Sequence, residues 1–271
     1  MTANIAQSSL SKSRQWYRPT ISPEHGVYVM LLVSFLTGAA AAQQWTWGTT
    51  LALVCGFCGF QTEHPLSMQV GQRKSWKPRL IVWTGIYGGT ALAIAFWLLG
   101  HNSELLALLV IYALAIAALG CDVISVLLRQ KRARWNELVT FAAVCLLAPL
   151  AYTVTLGEID QIAIALWILN TLFFSSTIFT VKLRKVKTAS IVPGIIFHLI
   201  ASAIVLSLWL TGWLGGITAS AFAIALLKFS LILWQREWYR KAKIQRVASL
   251  ETSSSLLFLA VVAISVLPAY L

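Results

Sequence analysis

Between Gly26 and Leu271 the chain is a succession of long apolar runs separated by short polar connections. A helix needs about 20 mostly apolar residues to cross a hydrocarbon core roughly 30 Å thick. In lipid each backbone N–H and C=O must be satisfied within the protein, and a helix does so within its own segment. Nine runs qualify, at 26–43, 46–62, 79–99, 104–128, 137–156, 160–181, 189–210, 213–234 and 248–270. Transmembrane strands would instead alternate over about 10 residues, a pattern absent here. The fold class expected is all-α, a polytopic transmembrane helix bundle of about nine spans. Only 11% of residues are charged, 58% are apolar and the mean hydropathy is +0.77. An ordinary soluble domain is about a quarter charged, so a soluble globular enzyme is excluded. The expected organisation is a polar, basic cytoplasmic leader at 1–24 and a single transmembrane helical domain at 25–271. The leader has no apolar core of the kind a cleavable signal peptide carries.

The net charge of +12 would suggest nucleic acid in a soluble chain, but its distribution points to topology. The basic residues form five groups. Lys12, Arg14 and Arg18 lie in the leader; Arg73, Lys74, Lys77 and Arg79 follow the second run. Arg129, Lys131, Arg132 and Arg134 follow the fourth, and Lys182, Arg184, Lys185 and Lys187 the sixth. Lys228, Arg236, Arg240, Lys241, Lys243 and Arg246 surround the end of the eighth. The connections after runs one, three, five and seven hold no Lys or Arg. Positive residues stay on the cytoplasmic side, so nine spans with the N-terminus cytoplasmic and the C-terminus outside satisfy all five groups at once. Trp76, Trp83, Trp135, Trp234 and Trp238 then fall near the inner interface, and Trp45, Trp47, Trp97, Trp209 and Trp213 near the outer one, as interfacial belts do. The basic loops suit anionic lipid head groups at roughly 1 kcal/mol per Lys or Arg. Lipids are therefore the expected partners, no nucleic acid is needed, and a protein partner on the same face is compatible.

Ionisable groups in or near spans are expensive and mark candidate sites. Glu24 and His25 open the first span, and Glu63 and His64 close the second. Asp122 lies about two helical turns before the end of the fourth, deep enough to require a partner. Asn136 and Glu137 open the fifth, where Asn136 reads as a helix cap. Lys182 and Arg184 end the sixth, placed to snorkel or to bind an anionic head group. Lys228 reads as a snorkelling residue of the eighth. Glu251 begins the ninth, followed by the hydroxyl-rich Thr252, Ser253, Ser254 and Ser255. The candidate cytoplasmic polar site is thus Glu24, His25, Glu63, His64, Asp122, Lys182, Arg184 and Glu251. Asn170 and His198 are the intramembrane polar residues, with Pro149 and the Pro193-Gly194 pair as candidate breaks. Cys55 and Cys58 form C-x-x-C within an apolar run, where small buried side chains are the simpler reading. No metal-ligand spacing, phosphate loop or catalytic triad order stands out, so no cofactor and no metal are expected.

The opening Pro23-Glu24-His25-Gly26 before an apolar span resembles the start of the YwiC-like family of bacterial membrane proteins. The resemblance continues through Asn136-Glu137, Ala148 to Tyr152, Leu166 to Asn170, Val181 to Arg184, Phe197-His198 and Arg246 to Glu251. It implies an integral membrane protein and carries over no activity. A looser, architectural similarity is to the membrane prenyltransferases of the UbiA superfamily. Those enzymes hold Mg²⁺ and a prenyl diphosphate with aspartate-rich motifs at the ends of spans two and six. Here those ends carry Glu63 and the cations Lys182 and Arg184, so the carboxylates that Mg²⁺ requires are missing.

Three function classes follow. The first is a non-catalytic binding or assembly protein with a basic cytoplasmic face. The second is a cytoplasmic-facing enzyme acting on a prenyl or lipid substrate, and the third is a small-solute transporter with His198 as a proton carrier. The expected location is a prokaryotic inner membrane, with an internal photosynthetic membrane as a variant.

Overall fold

The computed structural model describes residues 18–73, 75–131, 133–185 and 190–267. The leader up to position 17, Lys74, Arg132 and Lys187 lie outside the described residues. The described residues form twelve helices and no strand. They are α1 His25–Ala42, α2 Trp47–Gly71, α3 Pro78–His101, α4 Leu105–Leu127, α5 Arg134–Cys145 and α6 Leu147–Leu156. After these come α7 Gln161–Lys185, α8 Val192–Leu210, α9 Gly216–Ser220, α10 Ala223–Trp234, α11 Arg236–Lys241 and α12 Ile244–Val266.

Eight helical legs are long and apolar enough to cross a membrane: α1, α3, α4, α5 with α6, α7, α8, α9 with α10, and α12. The ninth expected span is α2, which is 25 residues long but polar in its second half. It runs the depth of the bundle all the same. Thr49 near its start meets Thr155 at the end of α6, 2.6 Å between hydroxyls. Ser67, 18 residues later, meets Asp122 near the end of α4. At 1.5 Å per residue that separation is about 27 Å, close to a hydrocarbon core. The helix continues nine residues beyond the expected end near 62 because Gln61, Thr62, Pro65 and Ser67 are buried against neighbours.

Local chemistry sets the ends. Thr46 and Thr49 form a reciprocal capping box at the start of α2, satisfying donors that a first turn leaves open. Pro78 is the first residue of α3 and Pro193 the second of α8, in the first turn, where a missing N–H costs nothing. Pro193-Gly194 is therefore a helix start, not a break within a span. Asp160 caps α7 by accepting from the Ala163 N–H at 3.0 Å, while its second oxygen takes the Tyr152 hydroxyl at 2.7 Å. Gly157 ends α6 with φ 75°, a conformation glycine adopts freely.

The core is the meeting of α1, α6, α7 and α12 with the junction of α9 and α10, where Met30, Val33, Ala148, Leu166, Leu169, Phe173, Phe222 and Phe258 are buried. Two thirds (67%) of the α5–α6 span is buried, against 11% for α3 and 17% for α4. The last two present Ile86, Leu92, Phe96, Leu106, Val110 and Ile116 outward. In a soluble protein so large an apolar surface would be a liability; in a bilayer it is the lipid face.

All described basic connections gather at one end, called here the basic end. Arg73 after α2 donates to the carbonyl of Leu127. Arg79 holds the carbonyls of Arg18 and Pro19 at 2.8 and 3.0 Å. Arg184 donates to the carbonyl of Ala242 at 2.7 Å. At the opposite end Asn102 reaches the Thr153 carbonyl, Ser103 the Gly157 carbonyl and Gln43 the Val266 carbonyl.

Candidate functional site

The eight candidate residues do not form one site. Five of them fall into two polar clusters in the basic half: Glu24, Glu63, His64 and Asp122 around α2 and α4, and Glu251 between α7, α10 and α12.

The first cluster is built on helical spacing. Glu63 and Ser67 are four residues apart and share a face of α2, which packs on α4 at Asp122. The Ser67 hydroxyl oxygen lies 2.7 Å from Glu63 Oε1 and 2.7 Å from Asp122 Oδ2. Asn136 donates to Asp122 Oδ1 at 2.9 Å and to the Lys131 carbonyl at 3.1 Å. Lys131, from the connection after α4, places its ammonium 2.7 Å from Glu63 Oε1 and 4.0 Å from Asp122 Oδ2. Burial alone would lower the pKa of Lys131. The hydrogen bond and charge of Glu63, with Asp122 behind it, outweigh burial and hold it above lysine's ordinary 10.5. The ammonium is thus a fixed positive charge over the two carboxyls. A cleft of about 490 Å³ opens above them, lined by Pro23, Glu24, His64, Ser67, Met68, Val126, Arg129 and Lys131. Glu24 and His64 therefore belong with Glu63 and Asp122, whereas His25, exposed at the first position of α1, is not among the lining residues.

Asn136 does not cap α5. The helix already begins at Arg134 with Ala133 in the cap position, which frees the carboxamide to bind Asp122. Its neighbour Glu137 pairs with Lys182 at 2.6 Å. Two adjacent residues of α5 thus tie α4 on one side and α7 on the other.

In the second cluster Lys228 is buried, with 3% of its side chain exposed, and its ammonium lies 2.7 Å from Glu251 Oε2. Thr177 donates to the same carboxylate oxygen at 2.9 Å and lies 3.2 Å from the ammonium. The Phe173 ring faces the ammonium at 5.5 Å, a distance at which a ring face attracts a cation. The snorkelling expected of Lys228 is overturned: it sits about two turns inside Arg236, and Glu251 supplies the counter-charge a buried ammonium needs. Glu251 itself lies two turns into α12, which begins at Ile244. Ser254 and Ser255 donate back to its carbonyl, so the hydroxyl run serves its own helix. Tyr239 of α11 is buried nearby. Burial and, secondarily, the charge of Glu251 push its phenol up to about 12.

Neither Lys182 nor Arg184 snorkels freely, since one is paired with Glu137 and the other bound to the Ala242 carbonyl. Asn170 is fully buried and donates to Thr37 at 2.9 Å and to the Leu166 carbonyl at 2.8 Å. It joins α7 to α1 at mid-depth. His198 holds the Gly194 carbonyl through Nδ1 at 2.7 Å and stacks on Phe229 at 4.0 Å. Gly194 admits that ring, because a Cβ there would come within 2.9 Å of Phe229. Among the described residues no group of three or more His, Cys, Asp or Glu is arranged to hold a metal ion.

Residues 21–152 match the family model of the YwiC-like proteins. Over that stretch the chain is similar to the YwiC-like proteins. The match takes in α1 to α6 and so contains the whole of the first cluster, from Glu24 to Asn136. It covers just under half of the chain and stops short of Asn170, His198, Lys228 and Glu251. The matched stretch is tied to α7, outside it, through Glu137 and Lys182. No curated protein and no solved structure matches the chain.

Reading residues singly missed Lys131, Ser67 and Thr177 as site members. The four-residue spacing of Glu63 and Ser67 was a usable signal for the second. The partners of Lys131 and Thr177 lie 68 and 74 positions away, where no local pattern reaches.

Proposed function

We propose that this is a multi-pass protein of a prokaryotic inner membrane that works by binding at its basic end, which faces the cytoplasm. Its role is non-catalytic, and its partners there are anionic lipid head groups. The observation that carries this reading is the gathering of the basic connections at one end, with Arg129 and Lys131 on the rim of the one cleft described above the Glu63–Asp122 pair. Exposed Lys77, Arg129, Arg134, Lys241, Lys243 and Arg246 supply a field that phosphate groups meet at the membrane surface. A transporter is the second reading, favoured by the buried Lys228–Glu251 pair, because charged pairs inside a bundle often mark solute or proton paths.

The test is the thermal unfolding midpoint of the purified protein in nanodiscs of neutral lipid, compared with nanodiscs containing anionic lipid. Anionic lipid is expected to raise the midpoint, the rise shrinking with added salt and in Arg129→Glu/Arg134→Glu. Equal midpoints in the two lipids, at low salt, would remove the lipid-binding reading.

A further inference from the structure

The first cluster contains more close oxygen contacts than its fixed hydrogens can serve. Ser67 Oγ lies at 2.7 Å from an oxygen of each carboxyl group. Contacts that short between oxygens need a hydrogen in each gap, and a hydroxyl owns one. Ser67 donates to one carboxyl oxygen, so the other carboxyl must donate to Ser67. Lys131 does not fill the second gap. Its hydrogen bond is to Glu63 Oε1, and it stays 4.0 Å from Asp122 Oδ2. Asn136 occupies the remaining Asp122 oxygen as a donor. Its own Oδ1 is a buried acceptor without a partner, in a side chain 2% exposed.

We infer that Glu63 and Asp122 together bind one exchangeable proton at neutral pH, held through Ser67 and open to the cleft at the basic end. The proton belongs to the pair and not to either residue. With it the pair carries one negative charge, which the ammonium of Lys131 matches. When it leaves for water in the cleft, the pair carries two negative charges against one positive. The other charged or titratable groups facing the cleft are Glu24, His64 and Arg129. On α5 Glu137 is engaged by Lys182, and Arg73 is turned to the Leu127 carbonyl. The walls are otherwise apolar, Pro23, Met68 and Val126. The site so described lies at the end of two spans and in contact with the cleft, the arrangement a proton-loading step requires.

Infrared spectroscopy of the purified full chain reads this directly. At neutral pH the wild type is expected to show the C=O band of a protonated carboxyl, shifted by D₂O and lost on raising the pH. Glu63→Gln and Asp122→Asn each leave one carboxyl and provide an amide N–H for the Ser67 contact, so each is expected to fold and to lack the band. Should either variant not fold, Ser67→Ala retains both carboxyls while removing the bridge and is expected to shift the band. Absence of the band in wild type, its persistence in both amide variants, or an unchanged band in Ser67→Ala would each overturn the assignment.

Discussion

Lys228→Met is expected to be the most damaging single substitution outside the close-packed core. It removes the ammonium that lies 2.7 Å from the Glu251 carboxylate, leaving that oxygen the hydroxyl of Thr177. Breaking a buried ion pair by deleting one partner costs about 3–5 kcal/mol, because the remaining charge is left uncompensated. Glu251→Gln is expected to cost a similar amount by stranding a side chain that is 97% buried by the same measure (3% exposed). The double variant Lys228→Met/Glu251→Gln removes both charges, and it should be more stable than either single variant. Thermal unfolding of the four proteins in one detergent gives the coupling as a double-mutant cycle. Additive losses would mean that Lys228 and Glu251 are independently solvated and the pair is not formed.

The second large effect is expected at Gly38. A Cβ on Gly38 would fall on the backbone carbonyl of Ala148 and within 2.8 Å of its Cα. Backbone cannot swing aside as a side chain can, so Gly38→Ala must push α1 away from α6 along the most buried contact in the bundle. Overpacking of this kind costs typically 1–3 kcal/mol, and more where backbone has to move. Gly56→Ala meets the side chain of Leu147 instead and should cost less, since a leucine can change rotamer. Gly59→Ala meets nothing within 4 Å and should be neutral. The order Gly38, Gly56, Gly59 in loss of unfolding midpoint is the expected result, and equal losses at all three would contradict the crossing. Small residues let transmembrane backbones approach in this way, which places the specificity of the fold in van der Waals fit.

The helices were legible because lipid imposes length and internal hydrogen bonding on every span, so hydropathy alone locates them. The expected starts and ends fall close to those of α1, α3 and α4. The expectation for α2 ended early, because its polar second half is paid for by Asp122 and Lys131, partners far off in sequence. The interruption at Leu146 and the short helices α9 and α11 also left no mark in hydropathy, since both sides of each are equally apolar or equally basic. For the site, the need of Asp122 for a partner was legible from its depth. Which partner was not: a side chain's depth follows from the position of its residue along one helix, but its neighbours follow from how helices are arranged around each other. Lys228 shows the same limit. Its stem is long enough to snorkel, and only the position of α12 decides that it pairs inward with Glu251.

The orientation of the basic end carries the functional reading and is open to direct measurement. Single cysteines at Ser190, exposed at the basic end, and at Glu158, exposed at the other, would be introduced after replacing Cys55, Cys58, Cys121 and Cys145. Intact cells would then be treated with a membrane-impermeant thiol reagent. Labelling of Glu158→Cys in intact cells, and of Ser190→Cys only after permeabilisation, is the predicted result. Labelling of Ser190→Cys from outside, with Glu158→Cys protected, would put the basic end and its cleft on the wrong side of the membrane and contradict the proposed function.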